Sequence, residues 1–158
     1  MIRVAILTVS DSCSEGQRDD ISGQAIIAVL DKEKFEVCDK KIVADDKKAI
    51  EEELKNFCDN MGVDVVLTTG GTGLGPRDVT PEATISVCEK TVPGLGELMR
   101  LKGLEKTPYA VLSRAAAGIR KNTLVINLPG SPKAVRECLE MILDVLGHAV
   151  EMMLGGGH

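Results

Sequence analysis

The stretch Val65-Val66-Leu67-Thr68-Thr69-Gly70-Gly71-Thr72-Gly73-Leu74-Gly75-Pro76-Arg77-Asp78-Val79-Thr80-Pro81-Glu82 limits what this chain can fold into more than any other. Residues 63–69 are apolar and rich in β-branched side chains, with the length of a buried strand. Four glycines follow within six residues, at positions 70, 71, 73 and 75. Glycine permits positive φ and a close approach of backbone to a ligand. Thr80 then suits an N-cap and Pro81 the first helical position. Strand, glycine turn and helix start together present backbone N–H groups to an anion, usually phosphate. An acid, Asp78, stands just before the helix. A βα loop whose glycines only turn the chain is the plainer alternative. The coincidence of dense glycine, a basic residue and an acid argues against it. The loop is not a Walker loop, because Pro76-Arg77 occupy the positions of Lys and Ser/Thr. Nor does its G-x-G-x-G spacing fit the dinucleotide fingerprint. A phosphate site of another design is the inference.

Composition narrows the class. The 158 residues suit one domain, 1–158, and 44% hydrophobic content is enough to build its core. Aromatics at 2% leave little for base stacking, and a net charge of −5 opposes phosphate-backbone binding, so no nucleic-acid partner is expected. No apolar run approaches 18 residues, so no membrane span is expected, and the first residues enter a strand pattern without a signal peptide. The five cysteines are scattered, odd in number and without C-x-x-C, which argues against a zinc site or a disulfide framework. A cytoplasmic location with reduced thiols is the expectation.

In chain order, Val4 to Val9 reads as a central strand running into the polar loop Ser10-Asp11-Ser12-Cys13-Ser14-Glu15-Gly16. Loops at the carboxyl ends of parallel strands are where α/β proteins bind ligands, although solvation and capping also explain these residues. Asp19-Asp20-Ile21-Ser22-Gly23 caps a helix expected to run to about Lys32, with Ile26, Val29 and Leu30 inward. Phe35 to Val43 reads as an edge strand. Asp45 or Asp46 then caps a helix to about Asn60, whose Ile50, Leu54, Phe57, Cys58 and Met61 form one stripe. A helix from Pro81 to about Glu89 follows the glycine stretch, and Val92-Pro93-Gly94 breaks into another. Pro108 to Leu112 reads as a short strand. Ser113-Arg114-Ala115-Ala116-Ala117-Gly118-Ile119-Arg120 reads either as a small-residue loop whose two arginines hold an anion or as a surface turn. Thr123 to Leu128 is a strand interrupted by Asn127, whose amide must find partners. Ser131 as N-cap and Pro132 at N1 start a last helix, with Val135, Cys138, Leu139, Ile142, Leu146, Ala149 and Met153 on its stripe. His148 lies on or near that stripe and reads as structural; 155–158 read as a frayed tail. Alternation of strands and helices predicts an α/β fold: three layers, α/β/α, with a mostly parallel sheet. The strand-following loops should converge at its carboxyl edge.

Thr69-Gly70-Gly71-Thr72-Gly73 followed by Pro76-Arg77-Asp78-Val79-Thr80-Pro81-Glu82-Ala83-Thr84 resembles the signature of the molybdopterin adenylyltransferase family, which includes bacterial Mog and MoaB proteins, the gephyrin G domain and its plant counterpart. The resemblance spans roughly Val4 to Leu154, with four motifs in order. It implies the MoaB/Mog-like molybdopterin-binding fold and a role in molybdenum cofactor biosynthesis: transfer of AMP from ATP to molybdopterin, with release of pyrophosphate, ahead of metal insertion. It implies phosphate or nucleotide contacts from Gly70, Gly71, Thr72, Gly73, Gly75, Asn127, Pro129, Gly130 and Ser131. Pterin contacts are implied for Ser10, Asp11, Ser113 and Arg114. A functional aspartate follows the second strand in this family. Aligning Val43-Ala44-Asp45 with the family's hydrophobic-Pro-Asp pattern places it at Asp45, although Ala44 replaces the usual proline and Asp46 adjoins. Asp45 and Asp78 are then the catalytic acids. Two carboxylates beside a triphosphate would repel it without a cation, so a divalent metal, magnesium, is expected on Asp45 and Asp78 with the substrate phosphates. A homotrimer and a molybdate-insertion protein as partner are implied as well. The alternatives are a non-catalytic MoaB-type molybdopterin-binding protein, toward which Asp19-Asp20-Ile21-Ser22-Gly23 leans, and an assembly module of a scaffold.

Overall fold

In order, the elements are β1 (Ile2–Val9), α1 (Asp11–Ser14), α2 (Ile21–Val29), β2 (Phe35–Val43), α3 (Lys47–Lys55), β3 (Val65–Thr69), α4 (Thr80–Val87), β4 (Lys90–Thr91), α5 (Pro93–Gly103), β5 (Ala117–Arg120), β6 (Thr123–Leu128) and α6 (Pro132–Met153). They come from a computed structural model that describes residues 1–156. One six-stranded sheet has the order β2-β1-β3-β6-β5-β4. β2, β1, β3 and β6 are parallel, and the short β5 and β4 return antiparallel at one edge. Every residue of β3 and β6 is buried, as strands covered on both faces require.

Side-chain alternation divides the core in two. Val4, Ile6, Val65, Leu67, Leu124 and Ile126 face α2, α5 and α6. Ala5, Leu7, Val66 and Val125 face α3 and α4, meeting Ile50, Leu54 and Ala83. The result is a three-layer α/β/α arrangement, as expected. Truncating one of these fully buried side chains to alanine, Ile126 for example, costs about 2–5 kcal/mol. Among the described residues no helix is long and apolar enough to cross a membrane.

Several local expectations are corrected. Pro108–Leu112 is a 3-10 helix, not a strand: Thr107 caps it by accepting a hydrogen bond from the Tyr109 N–H. The strand lies further on, in β5, where Gly118 lets the backbone pass close to Cys88 and the Lys90 carbonyl. Residues 10–16 include the short helix α1, and α2 stops at Val29 rather than near Lys32. The stripe after Asp46 holds, but its last turn, Asn56–Met61, is π-helical, so Phe57 and Cys58 stay buried. The His148 side chain is 57% exposed, off the buried stripe of α6, with Nδ1 4.0 Å from a Glu151 carboxylate oxygen. Gly155 and Gly156 do not fray: at φ +85° Gly155 turns the chain so that its N–H meets the Met152 carbonyl, and the Gly156 N–H meets that of Glu151. The last two positions of the expected tail, 157–158, lie outside the described residues.

Candidate active site

At the carboxyl ends of β1 and β2 the chain builds a reciprocal lock. The Ser10 Oγ accepts from the Cys13 N–H, starting α1. The Asp11 N–H then donates to the Asp45 carboxylate, and the Asp45 N–H donates to the Asp11 carboxylate, each at 3.0 Å. The choice between the neighbouring acids follows from geometry. The Asp46 carboxylate accepts from the Ala49 N–H at 2.9 Å and caps α3, so it is spent on the helix. Asp45 is left with its carboxylate toward Gly71: a Cβ there would lie 3.4 Å from Oδ1. Burial pushes the Asp45 carboxyl above its ordinary value, against the Asp11 N–H; the charges of Asp11 and Asp78 add to the push. Asp11 moves the other way, held low chiefly by hydrogen bonds from the Arg77 guanidinium.

The glycine loop leaves β3 through two residues in the left-handed region, Gly70 at φ +98° and Gly71 at φ +71°. A side chain at Gly70 would collide with the Val9 carbonyl oxygen, and one at Gly71 with the Thr80 hydroxyl. Thr80 does not cap α4, as its sequence position suggests. It is the first helical residue, fully buried, and its hydroxyl donates to the Gly70 carbonyl at 2.9 Å while its N–H donates to that of Gly71 at 3.2 Å. Thr80 thus clips the loop shut instead of capping the helix. Between them, the Asp78 carboxylate accepts from the Gly75 N–H at 2.9 Å. Cβ atoms at Gly73 and Gly75 would stand only 2.9 and 3.0 Å from Asp78 Oδ2, so these two glycines make room for the acid.

Three further attachments hold the loop. Arg77 makes two hydrogen bonds to the Asp11 carboxylate, at 2.8 and 2.9 Å. Arg114 braces the loop from outside, donating to the carbonyls of Gly73 and Asp78 at 2.8 and 2.7 Å and pairing with Glu82. The Gly70 N–H meets the Leu128 carbonyl at 3.2 Å, and the Thr69 hydroxyl meets that of Pro129 at 2.7 Å, joining β3 to the turn before α6. In that turn the Gly130 carbonyl accepts from the Ser22 hydroxyl at 2.6 Å, and Ser131 caps α6. A cleft of about 150 Å³ lies here, lined by Ser10, Asp20, Ser22, Thr69, Gly70 and Gly130 among others. A larger one, about 630 Å³, is at the far end of the sheet beside Met1, Ile2 and Phe35, away from these acids.

Residues 5–148 match the model of a family described as a probable molybdopterin binding domain. The chain belongs to that family. It is 47% identical over 156 residues to a molybdopterin adenylyltransferase of Helicobacter pylori, covering 98% of this chain and 89% of that one. Against a molybdopterin adenylyltransferase of Escherichia coli K12 it is 40% identical over 152 residues, covering 94% of this chain and 77% of the relative. The solved structure of a molybdopterin biosynthesis enzyme, MoaB, from Thermus thermophilus superposes with a TM-score of 0.93 at 52% identity, covering 98% of each chain.

In this member of the molybdopterin-binding family, Ser10, Asp11, Asp45, Gly70, Gly71, Gly73, Gly75, Asp78, Pro129, Gly130 and Ser131 share the carboxyl edge of the sheet. The four residues assigned to the pterin do not line one wall. Ser10 lines one cleft, and Ser113 and Arg114 line a different one. The Arg114 side chain is committed to the loop and Glu82, which makes it a brace. Arg120, the second arginine of that segment, pairs with Asp59 and the Val87 carbonyl instead of an open anion site. The Asn127 amide is wholly buried, donating to the hydroxyls of Thr68 and Thr84 and accepting from the Ala116 N–H. Its side chain ties β6 to β3 and α4, and Thr72 is likewise buried. What sequence reasoning missed is the role of Arg77; its place between the glycines and Asp78 was the available signal.

Asp45 and Asp78 are the two residues of this site that could hold a metal. Among the described residues no group of three or more His, Cys, Asp or Glu is placed to hold a metal unaided. Magnesium commonly takes one or two carboxylates and completes its shell with substrate phosphates and water. The Asp45 carboxylate borders Gly71 and that of Asp78 borders Gly73 and Gly75, so the glycine loop has two such carboxylates beside it.

Proposed function

We propose that the chain is a molybdopterin adenylyltransferase of molybdenum cofactor biosynthesis, dependent on ATP and magnesium. The observation that carries this reading is the division between Asp45 and Asp46. One acid is consumed as a cap, and the other is kept uncapped and partly desolvated beside a glycine loop that holds Asp78. Simple helix building needs only the first. Close relatives named for this activity support the same reading.

The reaction is a displacement. An oxygen of the pterin's terminal phosphate attacks the α-phosphorus of ATP, the bond to the bridging oxygen breaks, and pyrophosphate leaves. The attacking phosphate is already ionised at neutral pH, so positioning and charge neutralisation dominate. Between Gly70 and Gly75, whose own N–H groups go to the Leu128 carbonyl and the Asp78 carboxylate, the loop offers backbone N–H groups to phosphate oxygens, with the α6 N-terminus behind Gly130 and Ser131 favouring anions. Ser10 and Asp11 form the pterin side, and Ser113 and Arg114 act through the loop they border. Asp45 and Asp78 would hold magnesium, which would supply neutralisation of the triphosphate and of the leaving group. Fixing the two carboxylates is the protein's part, and the Asp11 and Gly75 N–H groups do that.

A homotrimer and a cytoplasmic location belong to the same proposal. Leu101, Tyr109, Val111 and Leu112 are about half exposed or more, which supports association of copies through α5 and the 3-10 helix. Purified protein with ATP, magnesium and molybdopterin should release pyrophosphate and form adenylylated molybdopterin. A protein that binds the pterin yet releases none would be a binding protein instead.

A further inference from the structure

We propose that Arg77 is the phosphoryl clasp of this site, released from Asp11 when a phosphate settles on the glycine loop. This deepens the adenylyltransferase reading and rests on it. Arg77 sits between the glycines and Asp78, and its guanidinium grips the Asp11 carboxylate through Nε and Nη2 at 2.8 and 2.9 Å. Among the described residues Asp11 is its only hydrogen-bond partner. The two side chains are 63% and 39% exposed, and so open an ion pair is worth little in water. A phosphate accepts the same two-pronged grip and carries more charge.

The other arginines nearby show what a fixed arginine looks like. Arg114 reaches two loop carbonyls and Glu82, and withdrawing it would undo the loop. Arg120 is tied to Asp59 and to the Val87 carbonyl. Arg77 holds no backbone group, so it can leave Asp11 without dismantling an element. Charge points the same way. Asp11, Asp45 and Asp78 crowd this edge, and Arg77, paired to Asp11, brings a positive charge among them. A substrate phosphate arriving among three carboxylates would otherwise meet only repulsion from side chains of the loop. Its exchange with Asp11 also frees that carboxylate on the pterin side.

A double-mutant cycle tests this: wild type, Arg77→Ala, Asp11→Asn and the double variant, each titrated calorimetrically with α,β-methylene ATP and, separately, with molybdopterin. Arg77→Ala should weaken whichever phosphoryl ligand the clasp holds by about tenfold, as losing a charge-assisted pair does. Loss with the ATP analogue assigns the clasp to the nucleotide, and loss with the pterin assigns it to the pterin phosphate. Asp11→Asn, which keeps an acceptor for the Asp45 N–H, should tighten a nucleotide held by the clasp about threefold by releasing Arg77; with the pterin, which Asp11 itself faces, the released Arg77 is read as the coupling between the two substitutions. The gain should vanish in the Arg77→Ala background. Arg77→Lys, with the charge but not the fork, should fall between wild type and alanine, and a melt for each variant confirms folding. An equal gain from Asp11→Asn in both backgrounds would mean bulk charge alone and overturn the proposal. Weaker binding of the ATP analogue in Asp11→Asn would reduce the pair to a structural clamp and overturn it too. In both cases a wild type that still adenylylates leaves the enzyme reading intact, whereas one that binds neither ligand removes both.

Discussion

Replacing Gly73 with alanine should separate chemistry from folding. Gly73 does not occupy the left-handed region, so alanine fits its backbone. Shedding glycine's freedom in the unfolded chain contributes about 0.4–1 kcal/mol to stability. The new Cβ, however, would stand 2.9 Å from Asp78 Oδ2, closer than such atoms settle. The carboxylate can rotate away, at the cost of its hydrogen bond from the Gly75 N–H, about 0.5–1.5 kcal/mol where water can replace it. The two effects nearly cancel. Stability should stay within about 1 kcal/mol of wild type, a shift of about 2–4 °C at most for a chain of this size. Turnover should fall much further, on the order of 10²–10³, because a carboxylate placed for the transition state has moved. Pyrophosphate release with magnesium, read beside a thermal melt and a pterin titration, makes the measurement. A folded Gly73→Ala protein with near-normal turnover would refute the view that Gly73 exists to seat Asp78.

Other outcomes follow from the same geometry. Asp46→Ala should lose the α3 cap, costing about 0.5–2 kcal/mol in a denaturant melt, and keep turnover within a few-fold. Asp45→Asn should melt no lower than wild type, since it removes a charge that burial and two nearby acids disfavour, yet lose pyrophosphate release on the order of 10²–10³-fold; equal turnover loss in both variants would defeat the division of roles. Gly70→Ala places a side chain in the left-handed region against the fixed Val9 carbonyl, so its unfolding free energy from a urea melt should drop by at least about 2 kcal/mol, clearly below Gly73→Ala. Hydrogen bonds from Arg120 hold Asp59 low, at about 2, below the roughly 3.9 of an unfolded aspartate. Its stabilisation is therefore complete above about pH 4 and lost as pH falls through about 2. The melting gap between wild type and Asp59→Asn should close across that window; a gap that persists at pH 2 would show the pair is not its source.

Most of the scaffold was legible because parallel strands and their helices announce themselves by β-branched runs and apolar stripes. The strands of the parallel core, the stripe through Ile50 and Leu54, and Pro132 in the first turn of α6 all follow local patterns. What escaped was set by tertiary contact. Nothing local marks Ala117–Arg120 as a strand; it pairs because Gly118 admits Cys88 and Lys90. Thr80 has every local mark of a cap, but a buried hydroxyl facing the Gly70 carbonyl bonds there instead. Asn127 announced only that it needed partners, and the fold supplied three, from β3, α4 and the residue before β5, leaving no open side chain for a ligand.

The acids show where sequence and fold each hold information. Asp45 and Asp46 are indistinguishable by propensity, since either can cap α3. Geometry separates them through the residue that each N–H faces: the Asp45 N–H points across the sheet to Asp11, so its own carboxylate is drawn toward the Asp11 N–H. Two loops 34 residues apart then fix one another, and neither acid is free to serve as a helix cap. The capping duty falls to Asp46 by default. The same exchange desolvates Asp45 and sets it near Asp78, which costs stability and would be selected against in a plain βα connection. A partly desolvated acid held by a single backbone N–H, with the helix beside it already capped by its neighbour, is explained by the chemistry done there rather than by the fold it interrupts.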